Sequence, residues 1–85
     1  MEYLIIIEKG TENYSAYSPD VLGCIATGKT IEKTISEMKE ALEFHLEDEE
    51  SLPEAKGLKY HLDNGLELDK EDLVTNVKVE ISEKV

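Results

Sequence analysis

Tyr3-Leu4-Ile5-Ile6-Ile7 is an unbroken apolar run between Glu2 and Glu8, and it constrains the fold more than any other segment. Its β-branched and aromatic residues predict a strand, on which Tyr3, Ile5 and Ile7 point one way and Leu4 and Ile6 the other. An antiparallel sheet with helix on one side ordinarily turns polar residues to the opposite side. This strand therefore needs cover on both faces, from a second helix of the chain or from another subunit. The run falls far short of the ~20 apolar residues that cross a bilayer, so no membrane association is predicted.

The polar stretch Lys9 to Asn13 predicts a hairpin connection into a second strand, Tyr14 to Tyr17. Ser18-Pro19-Asp20-Val21-Leu22-Gly23 is turn chemistry: Pro presets its φ, Asp bonds nearby backbone, and Gly tolerates a positive φ. A third strand is expected at Cys24 to Thr27. Thr30 then serves as N-cap for a helix from Ile31 to about Glu47, with Ile31, Ile35, Met38, Leu42 and Leu46 recurring at steps of three and four. Phe44 falls nearly opposite that stripe, where it is either a solitary exposed ring or the mark of an interface.

Ser51 and Glu54 stand at capping-box spacing and Pro53 fits a first helical turn, which predicts a short second helix from Leu52 to about Leu62. Leu58, Tyr60 and Leu62 also alternate, and Asp63-Asn64-Gly65 could instead turn a hairpin into Leu66 and Leu68. Asp69 to Leu73 is expected to be a polar turn, followed by a last strand on which Val77, Val79 and Ile81 alternate with polar residues. The predicted fold is α+β, a β-β-β-α-(α)-β antiparallel sheet with helical cover. At 85 residues it forms one domain, 1–85.

Twenty acidic residues against 9 basic give a net charge of −11. Such a field repels nucleic-acid phosphates and anionic membranes, so direct DNA or RNA binding is not predicted, whereas encounter with a basic protein is favoured. With one Phe, four Tyr and no Trp to fill a core, stability is expected to be modest and self-association helpful. Cys24 stands alone, so no internal disulfide forms, and the N-terminus carries no signal-peptide pattern. A cytoplasmic location is expected.

Gly23 to Thr30, GCIATGKT, matches the phosphate-loop pattern G-x-x-x-x-G-K-[ST]. A true phosphate loop follows a buried strand and leaves its amides free to cradle phosphate. Here a turn precedes Gly23 and the residues between the glycines are strand-like, so the match is expected to be coincidental and Lys29 merely exposed. His45 and Glu49 could give two ligands on one helical face, fewer than a metal site needs, and His61 is expected to be solvated or at the edge of the core. Cys24 is expected to be a small packed thiol with no basic neighbour to activate it. No catalytic residue, cofactor or metal is predicted.

Tyr14 to Glu47, YSAYSPDVLGCIATGKTIEKTISEMKEALEFHLE, resembles the core pattern of HicB-family antitoxins: a strand, S-P-D-x-x-G-C, a short strand, T-G-x-T, and a helix ending near E-A-[LI]-E-F-H-L. The resemblance implies a partial ribonuclease-H-like fold without that enzyme's catalytic carboxylates, acting by binding. It implies a HicA-type partner, a small basic RNA-cleaving toxin whose RNA-binding or catalytic surface is occluded, and assembly as a homodimer or homotetramer. Many members append a DNA-binding domain, and none is predicted here. Pro19, Asp20, Gly23, Cys24 and Gly28 are assigned chiefly to shaping turn and strand, with Tyr17 and Asp20 as candidate partner contacts. The alternatives are an orphan oligomeric interaction module without a toxin, or a phosphate-binding or nuclease-like enzyme.

Overall fold

The computed structural model describes residues 1–81. The elements are β1 (Glu2–Lys9), β2 (Tyr14–Ser18), β3 (Val21–Gly28), α1 (Ile31–Leu46), α2 (Leu58–Asp63) and β4 (Leu73–Lys78). The strands form one antiparallel sheet in the order β3-β2-β1-β4. This is the expected α+β architecture.

The doubly apolar strand is explained by its place. β1 is hydrogen-bonded to β2 on one side and β4 on the other, and every residue from Tyr3 to Ile7 is at most 4% exposed. Tyr3, Ile5 and Ile7 join Ala16, Cys24, Val77 and Val79 beneath Met38, Leu42 and Leu46 of α1. Leu4 and Ile6 lie outside that cluster yet are buried within a single chain. Of the described residues, the connection carrying α2 is the part left to cover them, so β1 does not require a second copy.

α1 begins as its sequence dictates. Thr30 is extended, and its hydroxyl accepts the Lys33 amide at 3.0 Å. Ile31 and Ile35 are only partly buried, and between them Thr34 is fully buried, its hydroxyl donating to the Thr30 carbonyl at 2.7 Å. A Cβ at Gly28 would come within 2.7 Å of the Thr34 amide nitrogen. Gly28 thus lets the start of α1 press against the end of β3, a packing role and not a phosphate contact.

Three expectations are corrected. The third strand runs from Val21 to Gly28 instead of Cys24 to Thr27, because a register shift between Tyr17 and Ser18 lets Val21 pair with Ser18. The last strand begins at Leu73 and ends at Lys78, while Val79 continues the pattern through its amide bond to the Met1 carbonyl at 2.8 Å. The second helix spans only Leu58–Asp63, and residues 52–57 are irregular. A helix starting at Ser51 would pair the Lys56 amide with Leu52; that amide instead donates to Asp20 Oδ1 at 3.0 Å. The Pro53 carbonyl accepts from the Tyr3 hydroxyl at 2.8 Å. Gly57, at φ 87, then breaks helical geometry just before Leu58. The alternative hairpin does not form either, since Leu66 and Leu68 are not in a strand.

Candidate partner interface

The turn between β2 and β3 holds a cluster of polar bonds. The Asp20 amide donates to Ser18 Oγ at 3.3 Å, which sets the turn. The Asp20 carboxylate then gathers three distant groups: the Leu4 amide at 3.4 Å, the Lys56 amide at 3.0 Å, and His61 Nε2 at 2.7 Å. Its side chain is 0% exposed. Burial pushes the Asp20 pKa up, but the His61 bond, the two amides and the electrostatic pull of His61 together bring it below its ordinary 3.8. Tyr3 is shifted the other way, first by burial and then by the nearby Asp20 charge.

This geometry separates the two candidate contact residues. The Asp20 carboxylate is closed off from solvent and fastens the connection to the sheet. Tyr17 is half-buried on the face opposite α1, level with Ile6 on β1 and Ile25 on β3. Burial, then Glu8 and Asp72, raise its pKa and keep the phenol neutral. His61, expected to lack a role, is the residue that sequence reasoning missed. Its 41-residue separation from Asp20 leaves no local signal.

The cover on that face stops short of the sheet edge. Along the cross-strand row, Ile6 is 0% exposed whereas Ile25 on edge strand β3 is 71% exposed. Phe44 of α1 is 79% exposed, and the two line one hollow of ≈ 420 Å³ with Cys24, Ala41, His45 and Asp48. Cys24 is buried, and burial raises its pKa, which favours the thiol over the thiolate.

The other chemical possibilities find less support. Gly23 to Gly28 lies in β3, with Ile25, Ala26, Thr27 and Gly28 paired to β2, so its backbone serves the sheet and does not wrap an anion. Among the described residues no group of three or more His, Cys, Asp or Glu could hold a metal ion, and no helix is long and apolar enough to cross a membrane.

Comparison with known proteins agrees with this architecture. A protein-family model described as "HicB_like antitoxin of bacterial toxin-antitoxin system" matches residues 3–84. An uncharacterized 14.9 kDa protein from the rep-hol intergenic region of Haemophilus phage HP1 is 37% identical over 96% of the chain. The chain spans 63% of that relative's length. The crystal structure of antitoxin HicB3 superposes with a TM-score of 0.77 at 26% identity, covering 100% of this chain and 69% of that one. A chain of the HicA3 and HicB3 toxin-antitoxin complex superposes at 0.71 with 27% identity, covering 94% of this chain and 99% of that one. With the sheet order, the turn and the capped helix all in place, the chain belongs to the HicB-like antitoxin family.

Proposed function

We propose that this protein is an antitoxin that neutralises a small, basic HicA-type RNA-cleaving toxin by binding it and covering its RNA-binding or catalytic surface. The observation that carries this is the family match across residues 3–84, supported by the likeness to a chain of the HicA3 and HicB3 complex. The net charge of −11 suits the role, because an acidic surface steers a basic protein into contact and competes with RNA for it. Inhibition then needs no chemistry from the antitoxin, only an occluding surface, and the protein acts by binding and not as an enzyme. In this reading Tyr17 contributes to that surface, and Asp20 supports it by fixing the neighbouring turn, a reading supported by the Tyr17 pairing with Ile25 and the Asp20 bond to Lys56.

Co-expression tests the proposal. The HicA-type toxin encoded beside this chain's gene should arrest growth alone, and the chain should restore growth and form a complex with it in solution. Continued arrest with both proteins present and folded overturns it.

A further inference from the structure

Resting on the antitoxin function proposed above, we propose that the toxin docks on the free edge of β3, over the hollow between Ile25 and Phe44. Three observations converge there.

The first is apolar exposure where none is needed for folding. Ile25 and Phe44 are 71% and 79% exposed and line the same hollow. A lone exposed ring is ordinary; grouped apolar side chains around a hollow mark an interaction site. Phe44 is also the wall between that hollow and a second of ≈ 250 Å³ lined by Glu43, Glu47, Glu80 and Ile81. A partner side chain can enter on either side of the ring, the setting in which an aromatic residue anchors an interface.

The second is charge. On a helix surface the neighbours of Phe44 at steps of three and four include Glu40, Glu47 and Asp48. An apolar centre within an acidic rim is complementary to a basic protein with an apolar contact of its own. A second copy of this chain is disfavoured, because a two-fold contact sets a patch against itself and would bring these carboxylates together.

The third is the sheet. Among the described residues β3 has no strand on its outer side, and the cover that buries Leu4 and Ile6 stops before Ile25. The hollow wraps this open edge, drawing Ile25 from one face and Phe44 from the helix over the other. Tyr17, paired with Ile25, adjoins it.

The test measures toxin binding by the full chain and by Phe44→Ala and Ile25→Ser, with Leu73→Ala on β4, at the opposite sheet edge, as control. Phe44→Ala should weaken Kd by at least ~10-fold, and Ile25→Ser should weaken it in the same direction. Leu73→Ala should leave Kd within about twofold. Combining Glu40→Gln with Glu47→Gln should slow association and flatten its salt dependence. Folding of each variant is checked by its melting curve, and the two single variants serve as independent probes. If the unaltered chain binds toxin and both variants bind equally well, this docking face is wrong while the antitoxin function stands. If the unaltered chain fails to bind, both fall. If Phe44→Ala alters only the solution mass of the chain, the face is a self-contact and the proposal is overturned.

Discussion

The two faces of the sheet are covered by different means. Beneath α1, a capped helix lays Met38, Leu42 and Leu46 on Tyr3, Ile5 and Ile7, so apolar area holds that layer together. Across the sheet the cover comes from the later part of the connection from 47 to 72, past Leu52, which packs on the α1 side, and its one helix, Leu58–Asp63, has no buried residue. It is fastened by directional bonds, with Lys56 and His61 both held by Asp20. Non-directional burial is spread over many residues and tolerates local change, whereas a polar fastening concentrates its contribution in one side chain.

The largest effect that separates the faces should come from the apolar layer. Leu42→Ala, at a fully buried position, is expected to cost about 2–5 kcal/mol in denaturant unfolding. Asp20→Ala should cost less, about 1–3 kcal/mol, because it strands the Lys56 amide and the His61 ring. Its signature should be local: amide exchange should accelerate at Lys56 and through 57–63 while Met38 and Leu42 stay protected. Equal acceleration on both faces would erase the proposed difference.

Acid should sharpen the same contrast. The folded Asp20 pKa lies below its ordinary 3.8, so the unfolded chain takes up the proton first as pH falls. The carboxylate's contribution is therefore present above about pH 4 and disappears as pH drops through the lower folded value. Amides 56–63 should lose protection in that window before the α1 layer does, and Asp20→Asn should remove this step. The smallest effect expected is about 1 kcal/mol for Thr30→Ala, read from the melting temperature, since it deletes the bond to Lys33 on the robust side.

The same contrast explains what the sequence discloses. The β1 run, the α1 stripe and the Thr30 cap follow from periodicity and local chemistry, which act within a few residues. The S-P-D-x-x-G-C pattern marks a shaped turn, and Asp20 does shape it. Nothing local tells that its carboxylate also captures groups 36 and 41 residues away. That capture defeats the Ser51-to-Glu54 capping box: Lys56 gives its amide to Asp20, and Pro53 gives its carbonyl to Tyr3. The last strand is legible in kind but shifted, because Val79 bonds Met1 beyond the end of the regular ladder. The exposed apolar edge is half legible: Phe44 falls off its helical stripe, whereas the exposure of Ile25 depends on where a distant segment ends its cover.

Three hydrogen bonds converge on the Asp20 carboxylate, one from β1, one from the irregular stretch and one from α2. Between the Tyr3 bond to Pro53 at its start and the far end of α2, the covering segment is therefore held chiefly through this one carboxylate. Release of residues 56–63 is expected to wet Leu4 and Ile6 together and to open a cleavable span to proteases, an exposure that the ionised Asp20 opposes.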